Sequence, residues 1–173
     1  MRDPKAPIVN LAELELQPFP VPAPEPLADR FGARFAWIGP RIGAQKLGYN
    51  LTVVPPGKRA FPFHSHRVNE EMFFILEGEG EVRIGEHRHA IRQGDVIACP
   101  PGGPETAHQI INTSARELRY LGVSTKLSPE IADYPDSGKF GLLADVPAAG
   151  GKTESFRFVG KRDASLGYWD GET

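Results

Sequence analysis

Three histidines and one glutamate stand at spacings that can bring them to a single point. In the stretch from Gly57 to Gly78, GKRAFPFHSHRVNEEMFFILEG, one residue separates His64 from His66. Alternate side chains of an extended strand share a face, so both imidazoles project to the same side, a few ångströms apart. Glu71 opens the next apolar run, MFFIL. As the antiparallel neighbour of the histidine strand, that run would swing its carboxylate toward the same place. His108 follows in GDVIACPPGGPETAHQIIN, beyond a strand and a proline-glycine turn, on a strand where His108, Ile110 and Asn112 share one face. Imidazole nitrogen and carboxylate oxygen are both lone-pair donors, a set suited to a divalent transition metal such as Fe, Mn, Zn or Ni. Four such ligands leave an octahedral ion two adjacent positions for water, substrate or dioxygen. An ion so held can polarise a carbonyl, orient a chelating oxyanion or, if iron, activate dioxygen.

Together the two stretches resemble the paired motifs of the cupin superfamily. Gly57, His64, His66, Glu71 and Gly78 meet the first pattern, G-x5-H-x-H-x3,4-E-x6-G, with one extra residue before His64. Gly94, Pro100, Gly102, His108 and Asn112 meet the second, G-x5-P-x-G-x2-H-x3-N, with Gly103, Pro104 and Glu105 among the residues inserted before His108. The resemblance covers about the middle third of the chain. It implies an all-β fold, a single cupin-type jelly-roll β-barrel, with His64, His66, Glu71 and His108 as metal ligands. The ADYPDSGK and YWDGE stretches near the C-terminus are similar to those of bacterial single-domain cupins without an assigned reaction. If the first of these loops overhangs the barrel mouth, Tyr134, Asp136 and Lys139 become substrate contacts; otherwise they are loop and dimer residues.

The elements that must position these ligands follow from local patterning. Residues 1–30 form a proline-rich arm, and PFPVPAPEP excludes an interior strand or a helix from Pro18 to Pro26. The arm is a mobile tail or an extended segment laid on the barrel or on a neighbouring subunit, anchored by Ile8, Val9, Leu11, Leu14 and Leu16. The alternation in LAELEL favours docking. The barrel spans 31–126. It starts with strands from Phe31 to Ile38 and from Lys46 to Val54, joined by a turn across GPRIGAQ. Tight hairpins are expected after Leu76 and after Ile84, and RELRYLGVST supplies a last strand. With Glu71, Phe73 and Ile75 pointing in, Met72, Phe74 and Leu76 point out. Three large apolar side chains in water would be a costly patch, and a second copy of the chain is the expected cover. Cupin-like proteins commonly pair in this way. Residues 127–173 form an irregular loop and tail: Ser128-Pro129 could start a helix that Pro135 and Gly138 keep short.

Other chemistry-bearing residues have plainer readings. His87 and His89 repeat the H-x-H spacing, but no glutamate follows at the right offset, and they read as surface histidines of a solvated hairpin. Cys99, the single cysteine, reads as a small buried filler and excludes an internal disulfide. Phe61, Phe63, Phe73, Ile75 and Ile110 are the expected apolar lining of the site. A reaction also needs a group that moves protons. Tyr49, Arg59, Gln109 and Tyr120 are all candidates, and the sequence does not separate them.

The chain has 173 residues, enough for one domain with a real core, and a net charge of −2 gives no footprint for nucleic acid or an anionic membrane. No apolar run approaches spanning length and no signal-peptide pattern opens the sequence, so a cytoplasmic protein is expected. Three functions fit. One is a metal-dependent enzyme on a small oxygenated metabolite, sugar-phosphate isomerase-like, dioxygenase-like or decarboxylase-like. Decarboxylating relatives usually carry two barrels, which counts against that version, and a phosphosugar would want a cationic cluster that Lys58 and Arg59 could supply. The second is a non-catalytic protein holding a carboxylate or sugar through the metal. The third, a transcriptional regulator, is disfavoured because no helix-turn-helix pattern flanks the barrel.

Overall fold

The computed structural model describes residues 6–173; the first five residues of the expected arm lie outside the described residues. The strands form where β-branched and aromatic residues alternate between glycine- and proline-rich breaks. In chain order they are β1 (Gln17–Pro18), β2 (Arg34–Trp37), β3 (Leu47–Val54), β4 (Ser65–His66), β5 (Glu71–Glu77), β6 (Glu79–Ile84) and β7 (His87–Arg92). They continue with β8 (Val96–Cys99), β9 (His108–Ile111), β10 (Leu118–Thr125), β11 (Glu130–Tyr134), β12 (Lys139–Ala148) and β13 (Lys152–Lys161). One short helix, α1 (Gly39–Ile42), occupies part of the expected GPRIGAQ turn.

Among the described residues three antiparallel sheets result: β1-β2-β3-β10-β5-β8, β7-β6-β9 and β13-β12-β11-β4. The first and second face each other across one apolar core, and the expected all-β jelly-roll barrel is what forms. Strand alternation sets its inner face. Thr52, Tyr120 and Ile75 are register partners along one row, and Ile75, Tyr120, Val82, Ile110 and Leu118 are buried together. Met72, Phe74 and Leu76 take the opposite face and are half-buried. Isolated bridges Arg59↔Ile111 and His64↔His108 join the segment before β4 to β9 and close the barrel at the histidines.

Four expectations need correction. First, no hairpin follows Leu76. At Gly78 the chain crosses from the first sheet to the second, because β5 pairs with β10 and β8 while β6 pairs with β7 and β9. Gly78 has φ +86°, and a Cβ there would lie 2.5 Å from the Glu117 carbonyl oxygen, so the crossing requires glycine. The second hairpin, β6 to β7, forms as expected. Second, the Glu71 run does not neighbour the histidine strand, since β4 pairs with β11. Third, the expected helix start at Ser128-Pro129 leads into strand β11. Fourth, the C-terminal tail is regular over much of its length: β12 and β13 pair residue for residue from Lys139↔Lys161 to Ala148↔Lys152. Their turn forms at Gly150 and Gly151, both at positive φ, a signal available in the sequence as AAGGK.

The arm docks. β1 pairs with β2 through Gln17↔Phe35 and Pro18↔Arg34, and Phe19 packs against Phe35 and Phe61 with ring centroids 5.6 and 5.4 Å away. Val9, Leu11, Leu14 and Leu16 are half-buried, whereas Ile8, expected as an anchor, is exposed.

Candidate metal centre

The four residues singled out by spacing meet at one end of the barrel. Glu71 enters from β5, His66 from β4, His64 from the bridged segment before it and His108 from the start of β9. Glu71 Oε2 lies 3.0 Å from His108 Nε2, 3.4 Å from His66 Nε2 and 4.0 Å from His64 Nε2. One ligand atom each from His64, His66 and Glu71 lie within 4.8 Å of one another. The His64 and His108 rings are 4.7 Å apart and the His64 and His66 rings 5.1 Å. Three imidazoles thus present the same nitrogen to one carboxylate oxygen.

The far nitrogens explain why. His64 Nδ1 lies 2.8 Å from the Pro62 carbonyl and His108 Nδ1 3.4 Å from the Thr106 carbonyl. A carbonyl only accepts, so Nδ1 carries the proton and Nε2 is left for the site. His66 Nδ1 instead faces a carboxylate, Glu130 Oε2, at 3.7 Å. Both ring nitrogens of His66 are buried without a hydrogen-bond partner. A cation among the Nε2 atoms and Glu71 would satisfy the orphaned His66 Nε2, and a nitrogen-rich set with one carboxylate suits a borderline transition ion. The residues therefore fit the metal that their spacing implies.

Electrostatics differ sharply among these residues. Burial, with the His108 imidazole beside it, holds His64 down at about 4. Burial also opposes the charged form of His66, but the carboxylates of Glu71 and Glu130 outweigh it and the pKa is raised. For Glu71 burial pushes upward, yet the His108 and His66 imidazoles beside it hold the carboxyl well below the usual range. At neutral pH the centre presents an ionised carboxylate and a neutral His64.

The surroundings are mixed. Phe73 packs on His108 at 5.5 Å and Ile75 and Ile110 are buried, as expected of an apolar lining. Phe61 packs against the same core. Phe63 does not line the site: it is buried on the outer side, under the Arg83 guanidinium 3.6 Å from its ring centroid. Phe63 is the neighbour of His64, and alternation along the extended segment turns it to the opposite face. Gln109 also faces away, donating from Nε2 to the Phe61 carbonyl at 2.6 Å. Tyr120 is fully buried against Phe73, its hydroxyl beside Thr52 and its pKa raised by burial. Lys58 Nζ is committed to the Ala28 carbonyl at 2.7 Å. Arg59 stands near Arg30, Arg83 and Arg88, and burial followed by their repulsion lowers its pKa. Arg83 alternates with the inward Val82 and Ile84 and pairs with Asp136 at 2.9 Å, outside the barrel.

The ADYPDSGK stretch does reach the site. Tyr134 stacks near-parallel on His64 at 6.1 Å, and burial raises its pKa; Lys139 Nζ lies 5.7 Å from the Tyr134 ring centroid. Sequence reasoning missed Glu130, sixty-odd positions from His66; no spacing rule connects the two. His87 and His89 are exposed, with rings 6.5 Å apart. Cys99 is buried and free, its thiol pushed up to about 12 by burial, as a filler would be.

Residues 50–124 match the family model for the cupin domain. That stretch is a cupin domain. An uncharacterised protein of Methanocaldococcus jannaschii is 33% identical over 69 residues, 40% of this chain and 52% of that protein, so the chain matches about half the length of that curated relative. Among solved structures, a sugar phosphate isomerase from a cupin superfamily of Silicibacter pomeroyi is 24% identical with a TM-score of 0.75, covering 92% of this chain and 95% of that chain. A predicted oxalate decarboxylase from Thermotoga maritima is 22% identical with a TM-score of 0.56, over 69% and 99% of the two chains. At these identities the likeness establishes the shared fold. Among the described residues, no helix is long and apolar enough to cross a membrane.

Proposed function

We propose that this cupin binds one divalent transition metal through His64, His66, Glu71 and His108 and acts as a metal-dependent enzyme on a small oxygenated metabolite. A sugar-phosphate isomerase-like or dioxygenase-like reaction fits best. The observation that carries the reading is the convergence of three Nε2 atoms on Glu71 Oε2 at 3.0, 3.4 and 4.0 Å inside a closed barrel. An ion held there, Fe, Mn, Zn or Ni, would supply a Lewis acid for a carbonyl or hydroxyl oxygen. The chain's own residues do the rest. Phe73, packed on His108, keeps water from one side and strengthens the local field. Tyr134, stacked on His64, brings a phenol beside the ligand set, where it can hold a substrate oxygen or a proton.

A non-catalytic protein that anchors a carboxylate or sugar through the ion is the second reading. In its favour, Gln109 and Tyr120, two of the four sequence candidates for proton transfer, are turned to other partners. The protein is further proposed to be a cytoplasmic homodimer without nucleic-acid or membrane partners. Supporting the pairing, Met72, Phe74 and Leu76 share their outer face with Leu121, and Val96 on the adjacent strand is 67% exposed.

Elemental analysis of the purified protein, followed by a screen of hydroxy acids, sugar phosphates and catechols for affinity and turnover, tests the proposal. About one equivalent of metal is expected. A protein that retains none and cannot be loaded defeats both readings, and a bound ligand that never turns over selects the second. Phe74→Lys should convert the dimer to monomer in sedimentation; a wild-type monomer would sink the pairing.

A further inference from the structure

Two of the three imidazoles take their orientation from backbone carbonyls two residues earlier, at Pro62 and Thr106. His66 does not. Its Nδ1 faces Glu130 Oε2 at 3.7 Å, and Glu130 belongs to β11, beyond the last strand of the matched cupin domain. We infer that Glu130 is the positioning residue of the metal centre: its carboxylate fixes the His66 ring with Nδ1 turned away and Nε2 toward the ion, so β11 is a working part of the site. The inference rests on the metal-binding reading proposed above.

The carboxylate is built to stay in place. Glu130 is 5% exposed. Oε1 accepts from the backbone N–H groups of Arg67 at 3.1 Å, Val68 at 3.2 Å and Ile131 at 2.8 Å. Oε2 accepts from the Asn69 backbone N–H at 2.7 Å and from Asn69 Nδ2. Three consecutive amides after His66 thus close around one side chain, and residues 67–70 are the whole connection between ligands His66 and Glu71. A buried carboxylate is costly unless its lone pairs are filled; here they are, and the oxygen nearest His66 is held by Asn69 rather than free to swing. β11 itself is pinned to the same loop, since Asp133 accepts from Arg67 Nε at 2.5 Å and from Arg162 Nη2 at 3.2 Å. Metal-bound imidazoles generally give their second N–H to a carboxylate or carbonyl, which sets the tautomer and the ring angle. His66 would otherwise be the one ligand without such a partner.

A purely structural role would be loop anchorage alone, and Thr125→Val separates the two. Thr125 Oγ1 donates to Asn69 Oδ1 at 2.8 Å and accepts from the Glu70 N–H at 3.0 Å, so its loss loosens the loop without touching Glu130 or His66. Cobalt(II) affinity is measured for wild type, E130Q and T125V, with nitrogen-15 imidazole spectra of the zinc-loaded and metal-free proteins. E130Q is expected to weaken cobalt binding about 10–100-fold and to displace the His66 Nδ1 signal, while T125V stays within about threefold with that signal unmoved. Should E130Q not be isolated folded, Glu130→Asp carries the same comparison, keeping the charge but shortening its reach. Cobalt affinity of E130Q within about twofold of wild type overturns the inference. So does equal weakening in T125V with the His66 signal unchanged in both. If the wild type takes up no metal, the metal reading fails separately. The positioning contact is then judged on the metal-free spectrum, where an Nδ1 signal indifferent to E130Q overturns it.

Discussion

Acid should loosen the metal-free protein through His64, and the size of the effect follows from its burial. The folded protein holds this imidazole at about 4, against 6.5 for a free side chain. Because the folded value is the lower one, the unfolded chain takes up the proton first as pH falls. The neutral ring therefore contributes stability that is fully present above about pH 6.5 and lost on descent toward 4. At 1.36 kcal/mol per pKa unit the loss between pH 7.5 and 4.5 is about 2.5 kcal/mol, and about 2 once the ring's residual solvent contact is allowed for. The side chain is 17% exposed. Two neighbours must not confuse the reading. Glu71 stays ionised through this window because its carboxyl lies well below the usual range. His66, with a raised pKa, works in the opposite sense: its stabilisation is present below its unfolded pKa and lost as pH rises. It remains in the variant and largely cancels in the comparison. Urea unfolding of metal-free wild type and His64→Gln at both pH values measures the difference. Wild type should lose about 2 kcal/mol more than the variant. Equal losses, to within about 0.5 kcal/mol, would refute the claim that His64 is kept neutral by burial.

Glu71→Gln removes the carboxylate charge on which the three Nε2 atoms converge. Metal content by emission spectrometry should fall by at least about tenfold with the far-ultraviolet spectrum unchanged, because the barrel is held by its apolar interior; full occupancy would mean that the ligands are misassigned. Metal uptake should release protons below the raised pKa of His66, whose ring must become neutral to bind, so affinity should climb with pH until that value is passed. Calorimetry in buffers of different ionisation enthalpy reads this directly, and an affinity flat from pH 6 to 8 would contradict it. Asn112 is fully buried. It donates to the Val54 and Arg116 carbonyls at 2.8 and 2.6 Å and accepts from Ser114 N and Oγ, both at 2.9 Å. Asn112→Ala should cost about 3 kcal/mol by leaving those groups unpaired. It should leave the metal-to-protein ratio of the folded fraction intact, and a loss under about 1 kcal/mol would show the network to be dispensable.

How much of this was legible in advance depends on the range of each interaction. The H-x-H spacing, the alternation of Glu71, Phe73 and Ile75, and the second motif around His108 are local patterns. Strand geometry converts them into facing directions without further information. What failed were inferences about pairing. GEGEV reads as a hairpin because nothing local distinguishes a turn within a sheet from a crossing between two, and only the partners of β5 and β6 decide it. Phe63 does not line the site because it directly precedes His64, and strand alternation gives neighbouring residues opposite faces.

The sequence by itself determined which side chains could ligate an ion, the class of fold that would hold them, and the buried role of Cys99. The donors and the buried cysteine are written in residue type and short-range period, and the fold class is what the resemblance of the two motifs implies. Tertiary structure alone decided that β11 returns to the histidines, that Tyr134 stacks on His64 at 6.1 Å and that Glu130 faces His66 at 3.7 Å. The reason is physical: contacts between segments more than sixty residues apart depend on how whole sheets pack, and no local periodicity encodes which distant carboxylate a buried imidazole will meet.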